Sequence, residues 1–230
     1  MKAIFNHRTK GSAIYLIPSL LTLGAMCCGF FAIIVSYQGK FIECTYLIFF
    51  AMVFDSLDGR VARLTHTSSP FGAELDSLSD MVNFGIAPAI IIYNWNLHNL
   101  DRIGGIVVFA YAACVALRLA RFNTMISIVD KRFFLGLPCT AAAPVIVGYV
   151  WMCVVYHLNS SFFIIFGLIL TLFIGFSMVS LVKFYSFKEI HFSRKTRFRA
   201  LLIFLVILAL LIIWPEFVVF GFFVFYVIIS

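Results

Sequence analysis

Charge is what this sequence has least of. Of its 230 residues 12% are Asp, Glu, Lys or Arg, and ten are acidic. A water-soluble domain of this length covers itself with polar groups. Here 63% of residues are hydrophobic and the mean hydropathy is +1.07, so the surface is one that lipid accepts and water does not. The chain has no CxxC pair. Its cysteines (Cys27, Cys28, Cys44, Cys114, Cys139, Cys153) are scattered in or beside apolar stretches and read as small packing residues, not as disulfides or a zinc site. No internal repeat and no low-complexity linker divides it. No secretory signal stands at its start. Residues 1–10 are polar and basic, and the apolar run from about 13 to 37 is too long for a signal core. No basic groove is interleaved with aromatics, so the net charge of +7 does not point to nucleic acid.

What is present is a series of long apolar runs. A membrane-spanning helix needs about 20 mostly apolar residues. The pattern predicts an all-α integral membrane protein with spans at about 13–37, 41–58, 79–96, 102–121, 136–156 and 162–185. A basic stretch, 186–199, follows. A further apolar run, 200–230, is broken by Pro215 and Glu216 into two short membrane helices or one kinked helix. The domain reading is a basic segment 1–12, a six-span unit 13–185, the loop 186–199 and the C-terminal membrane segment. Six alternating spans put every Lys and Arg on one side except Lys40 and Arg102. The positive-inside rule makes the rich side cytoplasmic, against anionic lipid. The expected location is an inner (plasma) membrane of bacterial type.

The few acids are concentrated. Asp55, Asp58, Asp76 and Asp80 fall in the segment FDSLDGRVARLTHTSSPFGAELDSLSD. Asp55 and Asp58 are i, i+3 at the cytoplasmic end of the second span. Asp76 and Asp80 are i, i+4 where the third begins, with Gly72 on the same face. A turn at Ser68-Ser69-Pro70 can bring the pairs together. Four carboxylates in one low-dielectric pocket would repel strongly, and two divalent cations cancel their formal charge. Oxygen-only ligands suit Mg²⁺ or Mn²⁺. Such two-metal sites stabilise phosphoryl displacement. Gly59 and Ala62 lack bulk and let a ligand approach the helix. Arg63, one turn beyond Asp58, can pair with phosphate oxygens. Arg118 and Arg121, i, i+3 at the cytoplasmic end of the fourth span, can hold an acceptor's carboxylate or a lipid phosphate; the alternative is ordinary anchoring.

The pattern D-x2-D-G-x2-A-R-x8-G-x3-D-x3-D reads here as Asp55, Asp58, Gly59, Ala62, Arg63, Gly72, Asp76 and Asp80, complete at all eight positions. It resembles the signature of the CDP-alcohol phosphotransferase family, over about residues 13–185. The resemblance implies a six-helix core in which Asp55, Asp58, Asp76 and Asp80 hold two metal ions. It implies Asp80 as the base for the acceptor hydroxyl, and Gly59, Arg63 and the loop near Ser69 around the CDP group. It also implies a homodimer in membrane lipid. The flanking stretches IPSLLTLGAMCCGF, FGAELDSLSDMVNFGIAPA, LRLARFN and GLP are similar to the membrane-bound phosphatidylserine synthases of bacteria. That similarity implies CDP-diacylglycerol and L-serine as substrates. The chain departs from that pattern at Ser19, where Asn is expected, and at Cys139-Thr140, where another proline is expected after GLP. These departures bear on the acceptor, not on the reaction class. Glycerol 3-phosphate, an inositol phosphate or choline is the alternative acceptor. A divalent-cation transporter is the alternative of another class, but it would spread its acids along a path through the bilayer, whereas these aspartates cluster at one end.

Overall fold

The computed structural model describes residues 12–67, 69–125, 133–180, 183–185 and 215–229. These form helices α1 (Ser12–Ser36), α2 (Phe41–Leu64), α3 (Pro70–Asp80), α4 (Ala87–Trp95), α5 (Asp101–Met125), α6 (Cys139–Val155), α7 (Ser161–Val179) and α8 (Pro215–Ile229). A π-helical segment, Met81–Ile86, joins α3 to α4, so the two are one span. Strands β1 (Phe133–Leu135) and β2 (Lys183–Tyr185) form one antiparallel ladder. Four spans are long and apolar enough to cross a membrane: Leu16–Ser36, Pro70–Trp95, Leu97–Thr124 and Ser161–Val179. The protein is thus a helical membrane protein. Of the other two expected spans, α2 is broken in hydropathy by charge, and α6 is short, with 17 residues.

The helices alternate in direction as expected. At one end Asn94 Nδ2 donates to Ser36 Oγ (2.8 Å), and Asn96 Nδ2 donates to Asn159 Oδ1 (3.3 Å). These bonds gather the turns after α1, α4 and α6. At the other end Asn123 Nδ2 donates to Ser77 Oγ (2.9 Å), and the Leu137 N–H donates to Ser177 O (3.2 Å). All four aspartates of the signature lie toward that second end. Glu43, at the far end of α2, forms an exposed ion pair with Lys40 (3.7 Å).

Helix ends differ most from the sequence reading in three places. The α2 helix runs to Leu64 rather than 58, because Gly59 is tolerated inside it and the stop comes later. Thr67 N–H reaches back to Ala62 O (3.0 Å) around His66, whose φ is 53°. The third span starts at Pro70, nine residues earlier than expected. Ser69 Oγ accepts from the Gly72 N–H (3.0 Å), and Pro70 supplies a preset φ at the first helical position. The α7 helix stops at Val179 instead of running to 185, and 183–185 pairs with 133–135 instead. The Arg121 guanidinium caps that end, donating to the carbonyls of Val179 (2.9 Å), Met178 (3.3 Å) and Ser180 (3.5 Å).

The core is built around α6. Almost every residue from Cys139 to Cys153 is buried, and α2, α4, α7 and α8 all pack on it. A helix apolar all round belongs in an interior. The α1 helix lies along α2 and touches the π segment through Gly29, where a Cβ would collide with Asn83. The α8 helix begins at Pro215, where the apolar run was expected to break. Its Phe220 rests beside Gly148 and Tyr149, and the buried Glu216 accepts from Tyr156 Oη (2.9 Å). The loop expected at 186–199 and the first part of the C-terminal segment lie outside the described residues.

Candidate metal centre

The acid-bearing ends of α2 and α3 come together on the side facing α1, α5 and the start of α6. One carboxylate oxygen from each of Asp55, Asp76 and Asp80 lies within 4.8 Å of the others. Asp76 and Asp80, four residues apart on α3, share a face of that helix, and Asp55 meets them from α2. Asp58, the fourth signature acid, is not in that group of three. It is buried, 5% exposed, and Thr22 Oγ1 from α1 donates to its Oδ2 at 2.6 Å.

The residues present fit a cation. Asp80 Oδ1 is buried and has no hydrogen-bond donor. Buried acceptors are nearly always satisfied, so an orphaned carboxylate oxygen amid two further carboxylates calls for positive charge. The donor set is all oxygen, as a hard divalent ion requires. Among the described residues this is the one such grouping of acids, cysteines or histidines.

The remaining signature residues surround the acids. Nothing stands within 4 Å of where a Cβ would lie on Gly59, and only Ser69 Oγ (3.3 Å) crowds that position on Gly72. Both glycines therefore border open space. Ala62 is half-buried one turn on from Asp58. Arg63 is exposed and folds back, Nε donating to Gly59 O (2.9 Å). Ser69 caps α3, which orients its hydroxyl toward the start of that helix.

The two arginines of α5 part company. Arg118 is buried, 9% exposed, and its Nη1 donates to Cys139 Sγ (3.1 Å), while its Nε has no partner. Cys139 in turn reaches Asp80 Oδ2 (3.7 Å). Arg118 thus stands beside the acid group. Arg121, expected to share its role, is bonded to the carbonyl end of α7, where it favours the negative pole of that helix. Gly136 makes room for this junction: its φ is +82°, and a Cβ there would strike Met178 O and crowd the Arg121 guanidinium.

Sequence reasoning missed Thr22 and Cys139. Thr22 carries a hydroxyl between Leu21 and Leu23 in an otherwise apolar helix, which is a usable signal. Cys139 departs from the expected proline after GLP, but a buried thiol looks the same in sequence whether it packs or donates.

With this geometry in view, comparison with known proteins is decisive. Residues 15–178 match the family model described as CDP-alcohol phosphatidyltransferase. The chain belongs to that family. Among its curated relatives is a CDP-diacylglycerol–serine O-phosphatidyltransferase of Helicobacter pylori (strain J99). The two are 37% identical over 198 residues, 84% of this chain and 81% of the relative. A Methanocaldococcus jannaschii protein of the same name is 45% identical over 138 residues, 60% of this chain and 61% of the relative. One from Bacillus subtilis is 34% identical over 173 residues, 75% of this chain and 92% of the relative. The family match spans α1 to α7 and leaves α8 outside it.

Proposed function

We propose that this member of the CDP-alcohol phosphatidyltransferase family transfers the phosphatidyl group of CDP-diacylglycerol to the side-chain hydroxyl of L-serine, releasing CMP. The observation that carries the reading is the convergence of Asp55, Asp76 and Asp80 around an unpartnered, buried Asp80 oxygen. The names of its relatives support the choice of serine.

Asp55, Asp58, Asp76 and Asp80 would hold two divalent ions, Mg²⁺ or Mn²⁺. Bound there, such ions supply charge neutralisation at the pyrophosphate and at the reacting phosphoryl oxygens. The rest falls to the chain's own groups. Gly59, Ala62 and Gly72 leave room for the nucleotide beside the helices. Arg63 and the Ser69 hydroxyl contact its polar groups. Arg118 holds the carboxylate of serine and aims the hydroxyl at phosphorus, with Arg121 keeping the neighbouring end of α7 in place. Asp80 takes the hydroxyl proton as the oxygen–phosphorus bond forms and the bond to CMP breaks. The value of Asp80 as a base lies in its position more than in its basicity.

The site faces the cytoplasm, on the warrant of the Lys and Arg distribution, in the plasma membrane of a bacterial-type cell. The unit working in lipid is a homodimer of 13–185 cores, each followed by the basic loop 186–199 and the membrane segment 200–230. Cross-linking in native membranes should trap a dimer.

The test is CMP release by the purified full chain with CDP-diacylglycerol and a panel of alcohols. Serine should support turnover, EDTA should stop it, and Mg²⁺ or Mn²⁺ should restore it. Turnover with glycerol 3-phosphate and not with serine would refute the acceptor while leaving the family intact. Full activity in excess chelator would refute the metal centre.

A further inference from the structure

A buried guanidinium and a carboxylate close beside it ordinarily pair. Here they do not. Among the described residues Arg118 makes no ion pair, its Nε is unpartnered, and Asp80 Oδ1 is unpartnered too. Between them stands the side chain of Cys139, the first residue of α6, 2% exposed. Its sulfur accepts from Arg118 Nη1 at 3.1 Å and lies 3.7 Å from Asp80 Oδ2, to which it can donate its proton.

We propose that Cys139 is a positioning residue whose thiol holds Arg118 and Asp80 apart, leaving the carboxylate free for a cation and the guanidinium free for an anionic ligand. The proposal rests on the metal-centre reading given above. A thiol suits the task. It carries one proton for the carboxylate and sulfur lone pairs for the guanidinium, so it meets both charges without cancelling either. A direct pair would put a fixed positive group on the oxygens a divalent ion needs. It would also occupy the fork of N–H donors that recognises carboxylate or phosphate. The location fits the same logic. Arg118 comes from α5, Asp80 from α3, and Cys139 is the first residue of α6.

The experiment measures Mn²⁺ binding to the detergent-purified full chain, without nucleotide, from the spin-resonance signal of free Mn²⁺. Cys139→Ala should weaken binding about tenfold, the size of one charge-assisted contact. Cys139→Ser retains a donor and an acceptor and should stay within about threefold of the wild type. In an Arg118→Met background the Cys139→Ala step should change affinity less than about twofold, because the competing cation is gone. Cys139→Val, which fills the space without hydrogen bonding, repeats the first measurement should the alanine variant not fold.

Unchanged Mn²⁺ affinity in both Cys139→Ala and Cys139→Val overturns the proposal. So does an equal loss in the Arg118→Met background, which would mark a packing effect. A wild type that binds no Mn²⁺ removes the metal centre itself and this inference with it. A wild type that binds, with variants indifferent to Cys139, removes the inference alone.

Discussion

Helices α2 and α6 lie against each other, and both fall short of a simple membrane-span pattern, for opposite reasons. The α2 helix is long, 24 residues, but carries Glu43, Asp55, Asp58, Arg60 and Arg63. The α6 helix carries no charge at all but has only 17 residues. Outward-facing Tyr46, Phe50, Val53 and Leu57 make α2 a lipid-facing helix with a reactive end, whereas α6 is enclosed by protein. In lipid there is little hydrophobic drive to bring helices together, so an interior helix is specified by shape: small residues, close contacts and filled volume. Charged residues at that depth are costly and persist where a ligand compensates them. Beyond Cys139 at its start, α6 therefore encodes the scaffold and the end of α2 the chemistry, and substitutions should separate the two.

The sharpest separation should come from Asp80→Asn. It keeps the side chain's volume but removes both a cation ligand and the proposed base. CMP release should fall by roughly three orders of magnitude, the scale of a lost general base. Stability should not fall, because one of three clustered negative charges has gone. Thermal melting in detergent beside the CMP assay checks both halves. A variant that keeps more than a tenth of wild-type turnover would show that Asp80 is not the base.

The converse substitution is Ile146→Ala in α6. Ile146 is fully buried in the core cluster. Truncation should cost about 2–4 kcal/mol of stability through lost contacts and the cavity left behind. Turnover per folded molecule should stay within about twofold of wild type, because no group at the site is touched. Unfolding in mixed detergent, with activity corrected for the folded fraction, gives the answer. A loss of turnover larger than the loss of folded protein would mean that the middle of α6, and not only Cys139 at its start, shapes the site.

Much of this division was legible in the sequence, and the gaps have physical causes. The acids at the ends of α2 and α3 could be picked out because aspartate is rare here, but that Asp58 turns to Thr22 while Asp55, Asp76 and Asp80 gather could not be read from i, i+3 spacing. The alternation of the spans was legible because charge marks helix ends. The ends themselves were not. Those of α2, α3 and α7 depend on His66 turning left-handed, on Ser69 capping, and on Arg121 reaching three carbonyls from another helix. The last is a tertiary contact without local signature. It also explains why Arg118 and Arg121, equivalent by spacing, have different partners. The short β1–β2 ladder joins residues about fifty positions apart, and neither strand has a pattern of its own.

That unequal pair of arginines gives the next test. Arg118→Ala should raise the serine KM roughly ten- to a hundredfold, the loss of one charge-assisted contact of about 1.5–3 kcal/mol. CDP-diacylglycerol kinetics should change less. Arg121→Ala should instead lower the melting temperature by uncapping α7, with the serine KM near that of wild type. Equal KM effects from both would restore the symmetric role that spacing suggested. No KM effect from Arg118→Ala would make it an anchor.

The smallest expected effect lies at Thr22, where scaffold and chemistry meet. Its hydroxyl donates to Asp58 Oδ2 at 2.6 Å and also lies 3.0 Å from Pro18 O. Its own carbonyl accepts from Ser79 Oγ at 3.2 Å. One residue of α1 thus ties the acid of α2 to the residue just before Asp80 in α3. Thr22→Val keeps the β-branched shape and removes only the hydroxyl. The carboxylate of Asp58 should then lose its orientation rather than its charge. Because a bound cation can partly reimpose that orientation, the effect should be about three- to tenfold. It should appear in the Mg²⁺ or Mn²⁺ concentration needed for half-maximal CMP release and leave the serine KM unchanged. Thr22→Ser should restore the wild-type requirement. A shift in serine KM of the same size would place the fault in general packing of α1. A Thr22→Val variant with the wild-type metal requirement would show that Asp58 is held by its own helix alone.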